Sequence, residues 1–262
     1  MEKFQELKEI VLEAGKIIQE GYSKSNEVAK KSPTELVTVY DKTVEEYLVK
    51  RIQPLYSDYT IVAEESYSGN NLPNKAIFID PIDGTTNFVH KIPHLAISIG
   101  IWKDGKAQEA IVYNPILKEL YTAQRGKGAF CNGKKITVKK DSNLQNAIIA
   151  TGFPYVKHEM GKEYWWVVKS IQKLLPQIRD IRRLGAAAVD LCYLAHGKVN
   201  GFYEINLQPW DIAAGTLIVQ EAGGRVTDPN GREHSFKHPV IVASNGSIHQ
   251  ELLDNLAEFS NG

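Results

Sequence analysis

The sequence is poor in the residues that would place it in a membrane or in an oxidising compartment. Only two cysteines, Cys131 and Cys192, occur in 262 residues, so neither a disulfide framework nor a thiolate zinc site is indicated. No run approaches the ~20 apolar residues that span a bilayer. The charged first residues lack the apolar core of a signal peptide. We therefore expect a cytoplasmic protein with no membrane partner.

An excess of charge of either sign is also missing. Lysine plus arginine total 31 and aspartate plus glutamate total 31, so the formal net charge is zero at pH 7. Such a chain creates no overall field that would draw it to nucleic acid. We expect a small-molecule ligand and no nucleic-acid partner. The hydrophobic content of 43% is enough for a sizeable core.

The chain opens with helical patterns and continues with short strands. Apolar residues at helical spacing from Phe4 onward predict a first helix that ends at Gly21. Thr43 and Glu46 have capping-box spacing and predict a second helix that is closed by Pro54. Apolar runs separated by turn residues then predict an antiparallel sheet. Its strands are expected at 60–63, 76–79, 95–102, 106–113 and 119–124.

Helices and strands alternate beyond about residue 150. The predicted helices are 162–175, 186–196, 212–222 and one from Ser247, and the predicted strands are 177–181, 199–204 and 240–244. Helices first, a broad sheet next and alternation last predict an α/β (α+β) fold of layered sheets covered by helices. We place the boundary between an N-terminal half, 1–145, and a C-terminal half, 146–262, within one compact unit.

The densest chemical signal is the segment IDPIDGTTNF at residues 79–88. Asp80, Asp83 and the Ile82 carbonyl offer the hard oxygen ligands that Mg²⁺ prefers. Glycine at position 84 permits close backbone approach, and the amides of residues 84–86 at a helix start would face a phosphate. For a lone Asp-Gly-Thr, an ordinary Asx turn would be the better interpretation.

Three further acidic positions must be explained together with this segment. Glu64 and Glu65 follow a buried-looking strand, Asp211 lies in PWDIAAG at a helix start, and Asp41 follows LVTVY. Taken one at a time, solvated loop residues and plain helix caps explain them equally well or better.

The blocks EES, DPIDGTTNF and PWDIAAG, in this order and spacing, resemble the signature blocks of the inositol monophosphatase family. The similarity extends through LVTVYD, GAFCNGKKI, RRLGAAAVDL and EAGG, and so covers nearly the whole chain. It implies a layered αβαβα sandwich of the inositol monophosphatase and fructose-1,6-bisphosphatase type. It also implies a phosphatase that uses a metal-activated water and two, or with a weaker site three, Mg²⁺ ions.

The resemblance assigns roles to individual residues. Glu64, Asp80 and the Ile82 carbonyl would hold the metal that activates water, and Asp80, Asp83 and Asp211 the second metal. Thr85, held by Asp41, would orient the attacking water together with Glu64, while Glu65 supports its neighbour. The residues expected to contact substrate are Asp83, Gly84, Thr85, Gly185, Ala186, Ala187, Glu204 and Asp211.

Two features leave the substrate preference open. Many relatives carry Ser or Thr where this chain has Ala186, so one hydroxyl contact is missing. Arg179, Arg182 and Arg183 offer charges for a second phosphate, but a solvated strand edge or a subunit contact is the preferred interpretation, and we leave them out of the site. The resemblance favours myo-inositol 1-phosphate, with fructose 1,6-bisphosphate, histidinol phosphate, NADP and nucleotide 3′-phosphates as alternatives.

Two other interpretations remain at this point. An aspartyl-phosphate phosphatase of the haloacid dehalogenase type also uses Asp-Gly-Thr, but its two aspartates are two residues apart, whereas Asp80 and Asp83 are three apart. Alternatively, the chain could act as a regulatory partner of another protein with secondary phosphatase activity. The resemblance further implies a homodimer and inhibition by Li⁺.

Overall fold

The computed structural model describes residues 2–24, 28–30, 36–69, 71–154 and 157–259. Its α-helices are α1 (Glu2–Ser23), α2 (Val39–Leu55), α3 (Thr85–Val89), α4 (Lys162–Leu174), α5 (Ala187–Ala195), α6 (Pro209–Glu221) and α7 (His249–Asp254). No helix in this described part is long and apolar enough to cross a membrane.

The strands form three sheets. They are β1 (Val28–Lys30), β2 (Leu36–Thr38), β3 (Thr60–Ala63), β4 (Lys75–Asp83), β5 (Ala96–Lys103), β6 (Lys106–Asn114), β7 (Glu119–Gln124), β8 (Ala129–Cys131), β9 (Lys134–Ile136), β10 (Ile148–Thr151), β11 (Asp180–Arg182), β12 (Gly201–Ile205), β13 (Arg225–Thr227) and β14 (Val240–Ser244). Strands β1 and β2 pair with each other, β3 to β9 form a seven-stranded sheet in chain order, and the third sheet has the order β11-β10-β12-β14-β13.

The predicted antiparallel middle of the chain is confirmed, since every pair in the seven-stranded sheet is antiparallel except β3 with β4. The five-stranded sheet is mixed, with β10 parallel to β11 and β12. Along the chain, the seven-stranded sheet ends at Ile136 and the five-stranded sheet begins at Ile148. The exact division of the chain into halves at residue 145 stays a prediction.

The sheets and helices alternate in five layers, as the αβαβα expectation requires. One core joins α1 and α2 to the isoleucines of β4 and β5. A second core places α5 and α6 between the two large sheets. A third packs α4 and α7 on the outer face of the five-stranded sheet. Both large sheets are therefore covered on both faces at their centres, where β4, β5, β12 and β14 are buried along almost their whole length.

Close packing of α6 on β5 depends on small side chains. A Cβ atom placed on Gly100 would lie 2.8 Å from the Ala213 backbone, so only glycine allows this approach. Ser98 donates to the Trp210 carbonyl over 3.2 Å, and Trp102 Nε1 donates to the Ala213 carbonyl over 3.2 Å. These contacts bring the start of α6 against the centre of the seven-stranded sheet.

In the first 60 residues one predicted capping box is wrong and one helix end is shifted. Helix α1 continues two residues past Gly21 to Ser23, and the glycine inside the helix leaves room for the Tyr40 ring, which a Cβ would approach to 2.7 Å. The capping box of α2 is formed by Thr38 and Asp41, not by Thr43 and Glu46. Both pairs have the spacing of a capping box in the sequence. Only the hydrogen bonds between side chain and backbone show which of them caps the helix.

Other boundaries differ from the predictions by a few residues. Helix α6 begins at Pro209 instead of 212, strand β11 occupies Asp180–Arg182 instead of 177–181, and α7 begins at His249 instead of Ser247. Helix ends fray, so shifts of one or two residues have little meaning. The shift in α6 matters, because it moves Asp211 inside the first turn of the helix.

His249 connects the last helix to the five-stranded sheet. Its ring is 1% exposed, with Nε2 2.9 Å from the Thr227 hydroxyl and Nδ1 2.8 Å from the Ser244 hydroxyl. Burial lowers the pKa of His249 to about 4, because a charged imidazole loses its hydration there.

We expect this histidine to make the fold less stable in acid. The unfolded chain, with an ordinary histidine pKa of about 6.5, takes up the proton first as the pH falls. The folded state therefore loses stability between about pH 6.5 and the folded pKa of about 4. Relative to His249→Gln, the wild type should lose about 2–3 kcal/mol between about pH 7.5 and about pH 4.5.

Urea unfolding at both pH values measures this difference. The matched control is His158→Gln, whose side chain is 53% exposed, and its difference from the wild type should not change with pH. An equally flat difference for His249→Gln would show that burial of His249 does not carry the effect.

Candidate active site

A pocket of about 420 Å³ lies where strand ends of both large sheets meet the starts of α3, α5 and α6. Eleven of the residues singled out in the sequence line it: Glu64, Asp80, Ile82, Asp83, Gly84, Thr85, Gly185, Ala186, Ala187, Glu204 and Asp211. The twelfth, Asp41, lies behind Thr85. The fold thus brings together residues that are up to 170 positions apart in the chain, counted from Asp41 to Asp211. Their individual roles stay predictions.

Asp80 and Asp83, the acidic pair of the IDPIDG segment, lie at the C-terminal end of β4. The strand continues through Pro81 to Asp83, with an irregularity in its pairing to β5 between Asp80 and Asp83. This bulge leaves the two aspartates 2% and 7% exposed, respectively. Asp80 Oδ1 accepts a hydrogen bond from the Ile82 amide over 3.0 Å. The segment from Asp80 to Asp83 is therefore a bulged strand end.

Backbone amides from the C-terminal half hold two of the carboxylates. The Ala188 amide at the start of α5 donates to Asp83 Oδ2 over 2.8 Å. The Gln208 amide, which precedes α6, donates to Asp211 Oδ2 over 2.7 Å. Asp211 is 5% exposed and is the third residue of α6, where an acidic side chain completes a capping box. The helix starts thus fix these side chains on the pocket wall.

Glu64 and Glu65 lie on the turn that follows β3. The Glu64 amide donates to the Ile79 carbonyl over 3.1 Å, which keeps the turn beside the end of β4. The Glu65 amide donates to Glu45 Oε2 over 2.7 Å. Glu45 is 3% exposed and belongs to α2, one helical turn after Asp41. Only the helical spacing from Asp41 could have indicated Glu45 in the sequence.

Asp41 links the small β1–β2 sheet to the pocket. Its Oδ2 accepts from the Thr38 amide and the Thr38 hydroxyl, each over 2.7 Å, while Oδ1 accepts from Thr85 Oγ1 over 2.9 Å. The Thr85 hydroxyl also lies 3.2 Å from the Ile82 carbonyl. Burial raises the pKa of Asp41, although these three hydrogen bonds oppose the shift.

The electrostatics of the pocket call for a cation. Burial raises the pKa of Asp80 well above its usual range, and the nearby carboxyls of Glu64, Asp83 and Asp211 raise it further. Asp80 and Glu64 also share a hydrogen bond between their carboxyl groups. Burial raises the pKa of Asp83 to about 7. Several buried acids in contact are costly unless protons or cations neutralise them.

The donor set fits Mg²⁺. Carboxylate oxygens of Asp80, Asp83, Asp211 and Glu64, with the Ile82 carbonyl, are the ligands that this ion prefers. Within the described ranges, no three His, Cys, Asp or Glu side chains are already arranged closely enough to hold a metal ion. A shared proton and a shared cation are alternative ways to neutralise Asp80 and Glu64 in contact.

Glycines open the wall opposite the carboxylates. Gly84 has a φ of 89°, and a Cβ there would lie 3.1 Å from the Ala186 Cβ. A Cβ on Gly152 would lie 1.8 Å from Glu204 Oε1, so the Glu204 carboxyl lies directly over that glycine. Burial raises the pKa of Glu204 well above its usual range, Asp190 adds to the rise, and the charge of Arg183 opposes it.

Several residues of the pocket were missed in the sequence. They are Thr151, Gly152, Phe153, Pro154, Arg183, Asp190 and Leu207, whereas Thr86 had been expected to contribute its amide. Thr151 ends β10, a strand that the periodicity did not predict, and residues 152–154 follow it. Asp190 lies on α5 and pairs with His94, with its Oδ1 2.9 Å from His94 Nε2. Arg183 had been left out with its neighbours, but it alone of Arg179, Arg182 and Arg183 lines the pocket.

Comparisons with known proteins show the family of the chain. The model of the inositol monophosphatase family matches residues 1–261. The protein named Nus factor SuhB from Escherichia coli strain K12 is 39% identical over 249 residues, which cover 94% of this chain and 92% of that protein.

Two solved structures have the same fold. The extragenic suppressor protein suhB from Bartonella henselae superposes with a TM-score of 0.91 at 34% identity, covering 99% of this chain and 100% of that chain. The IMPase of Thermotoga maritima gives a TM-score of 0.87 at 33% identity, covering 97% of this chain and 96% of that chain. The chain therefore belongs to the inositol monophosphatase family, and its fold is that of a phosphatase.

Proposed function

We propose that the chain is a Mg²⁺-dependent phosphomonoesterase that hydrolyses myo-inositol 1-phosphate or a related small sugar phosphate. The observation that carries this proposal is the pocket in which Asp80, Asp83 and Asp211, supplied by both halves, are buried beside the turn at Gly84 and Thr85. Two Mg²⁺ ions, and a third held more weakly near Glu64, would lower the pKa of a water and neutralise phosphoryl oxygens.

The Thr85 hydroxyl is suited to orient a water molecule. Its proton is donated to the buried Asp41, at 2.9 Å, so its lone pairs are left to accept from a water. The Thr38 amide and hydroxyl both donate to Asp41 Oδ2 and so fix the carboxylate that accepts from Thr85. Glu64, on the neighbouring turn, would accept the other proton of that water. This chain would then activate water without a covalent phosphoenzyme.

The alcohol part of the substrate would lie between Glu204 and α5. Glu204 extends over Gly152 into the pocket and can exchange hydrogen bonds with polyol hydroxyls. The backbone at Gly185, Ala186 and Ala187 lies on the same wall. A carboxyl group opposite a polar backbone suits a ring with several hydroxyls.

Phosphate release should need both Mg²⁺ and Asp83. We expect Asp83→Asn to reduce release from myo-inositol 1-phosphate on the order of 100-fold or more, because one charge of the metal set is lost. EDTA should have the same effect on the wild type. The measurement is phosphate release from myo-inositol 1-phosphate, fructose 1,6-bisphosphate and NADP.

Asp58→Asn is the matched control. Asp58 has a side chain that is 60% exposed and pairs with Lys75 at 2.6 Å on the surface, so its loss should leave release unchanged. Release that persists at the wild-type level in Asp83→Asn or in EDTA would contradict the mechanism. Faster release from fructose 1,6-bisphosphate or NADP would change the proposed substrate and leave the proposed mechanism intact.

The contact between Gly152 and Glu204 predicts a second effect. In Gly152→Ala the new Cβ must displace the Glu204 carboxyl, which it would otherwise approach to 1.8 Å. We expect the KM for myo-inositol 1-phosphate to rise roughly tenfold, the equivalent of about one hydrogen bond. The KM for p-nitrophenyl phosphate, which has no ring hydroxyls, should change little.

Gly161→Ala controls for the added methyl group. Gly161 is exposed, and its Cβ would only meet the end of the flexible Glu163 side chain at 3.3 Å. Equal rises in KM for both esters in Gly152→Ala would mean that the variant disturbs the phosphate end or the fold, and urea unfolding would tell these apart.

A regulatory binding role is the second candidate, and the relatives favour it because they carry the name Nus factor SuhB. We expect a regulatory protein to recover the same stoichiometric partner from an extract with wild type and with Asp83→Asn as bait. A partner that is lost with Asp83→Asn, or no partner at all, would count against this candidate.

The family resemblance also proposes a homodimer and inhibition by Li⁺. Light scattering of the purified chain tests the first, and a lithium titration of phosphate release tests the second. The haloacid dehalogenase alternative loses its support, since the inositol monophosphatase family matches residues 1–261.

A further inference from the structure

Asp190 is a buried acid of the pocket wall that is neither an expected metal ligand nor an expected substrate contact. It lies on α5, three residues after Ala187, and side chains at this spacing share one face of a helix. Both residues line the pocket. The Asp190 side chain is 2% exposed, and this small area opens on the pocket. A carboxyl group with no assigned role is thus in reach of a bound substrate.

His94 holds one oxygen of this carboxyl. Its Nε2 lies 2.9 Å from Asp190 Oδ1. Because an ionised carboxylate can only accept, Nε2 carries the proton of this hydrogen bond. Within the described part of the chain, no hydrogen bond reaches Asp190 Oδ2, and this oxygen is not among the polar atoms enclosed without a partner. Oδ2 is therefore the oxygen that stays available to a ligand.

The imidazole of His94 is itself fixed from two sides. Its ring packs edge-on against Tyr193, with the centroids 5.2 Å apart and the planes at 78°. Its backbone carbonyl accepts from Asn87 Nδ2 over 2.6 Å, and the same amide donates to the Leu184 carbonyl over 2.9 Å. Asn87, on α3, thus ties the loop before β5 to the segment before α5. These contacts give the Asp190 carboxyl a defined orientation.

Asp190 is close to both ends of the pocket. The Ala188 amide, two residues earlier on α5, donates to Asp83 Oδ2 over 2.8 Å. Burial raises the pKa of Asp83 and of Glu204, and the charge of Asp190 raises both further, so its carboxyl lies within electrostatic range of each. Burial also raises the pKa of Asp190 itself, but the hydrogen bond with His94 opposes this rise.

We propose that Asp190 binds a hydroxyl group of the alcohol part of the substrate through Oδ2, and that His94 is a positioning residue that acts through it. This inference rests on the proposed phosphatase function and adds a specificity-determining residue to it. Hydroxyl groups donate strong hydrogen bonds to carboxylates. Glu204 and Asp190 would then bind different hydroxyls of one ring. The competing explanation is that the buried pair only anchors α5 to the loop before β5.

The experiment separates binding of the hydroxyls from binding of the phosphate. The KM for myo-inositol 1-phosphate is measured with saturating Mg²⁺. Cyclohexyl phosphate, which has the same ring without hydroxyls, is added as a competitor, and its Ki is measured in the same reaction. We expect Asp190→Ala to raise the KM about tenfold and to leave the Ki within about twofold, because only the inositol ring offers a donor to Asp190.

Asp228→Ala is the matched control. Asp228 is 6% exposed, accepts hydrogen bonds from the Asn230 and Arg232 amides, and does not line the pocket. Its loss therefore removes a buried acid of similar burial from another part of the fold. Neither the KM for myo-inositol 1-phosphate nor the Ki for cyclohexyl phosphate should change.

Two further variants test the role of His94. His94→Gln can still donate to Asp190 from its side-chain amide, whereas His94→Phe keeps a ring against Tyr193 but has no donor. We expect His94→Phe to raise the KM for myo-inositol 1-phosphate roughly fivefold and His94→Gln to restore most of the wild-type value. The Ki for cyclohexyl phosphate should stay within about twofold in both.

Each outcome decides a different point. An unchanged KM in Asp190→Ala, equal rises in KM and Ki, or the same selective rise in Asp228→Ala would overturn the proposed contact. Equal KM values for the two His94 variants would overturn the positioning role. If urea unfolding shows that Asp190→Ala does not fold, equal KM values for the His94 variants overturn the contact as well. Absence of phosphate release from myo-inositol 1-phosphate by the wild type would instead overturn the proposed function.

Discussion

The mutual repulsion of buried carboxylates is the constraint on which the pocket depends. Asp80, Asp83 and Asp211 are each at least 93% buried, and Glu64 hydrogen-bonds to the first of them. Backbone amides donate to all three: the Ile82 amide to Asp80, the Ala188 and Val189 amides to Asp83, and the Gln208 amide to Asp211. A few amides do not offset the burial of several full charges, so the remaining charge has to be balanced by protons or by metal. This imbalance is what makes the site suitable for divalent cations.

The spacing of the layers places these carboxylates together. Because Gly100 has no side chain, α6 approaches β5 until Ala213 fills the space where a Cβ would be. The hydrogen bond from Ser98 to the Trp210 carbonyl then fixes the first turn of α6, and so the position of Asp211. A site built between the two large sheets thus depends on small residues in a strand that carries no site residue. Layer packing, more than loop conformation, determines its geometry.

Long periodic elements could be predicted from the sequence, and contacts between distant residues could not. Strands β3 and β7 have the predicted bounds, because alternating apolar runs between turn residues are local signals. Strand β10 was missed, since a strand of four residues, three of them buried in succession, gives no period by itself. Resemblance supplied the acidic positions. It could not show that Arg183 rather than Arg182 faces the pocket, because one residue decides between an ion pair with Asp180 and contact with Phe153.

The two ends of the pocket are built differently. At one end, Asp80, Asp83 and Asp211 are buried and accept hydrogen bonds from backbone amides. At the other end, a glycine twice leaves the space in which an ionisable side chain lies: the Glu204 carboxyl lies over Gly152, and the Arg183 guanidinium lies over Gly185. Glu204 is buried whereas Arg183 is exposed, and the exchange of an exposed residue usually costs little stability. Under the proposed function, substrate preference would therefore change most readily at Arg183, while the buried carboxylates stay constant.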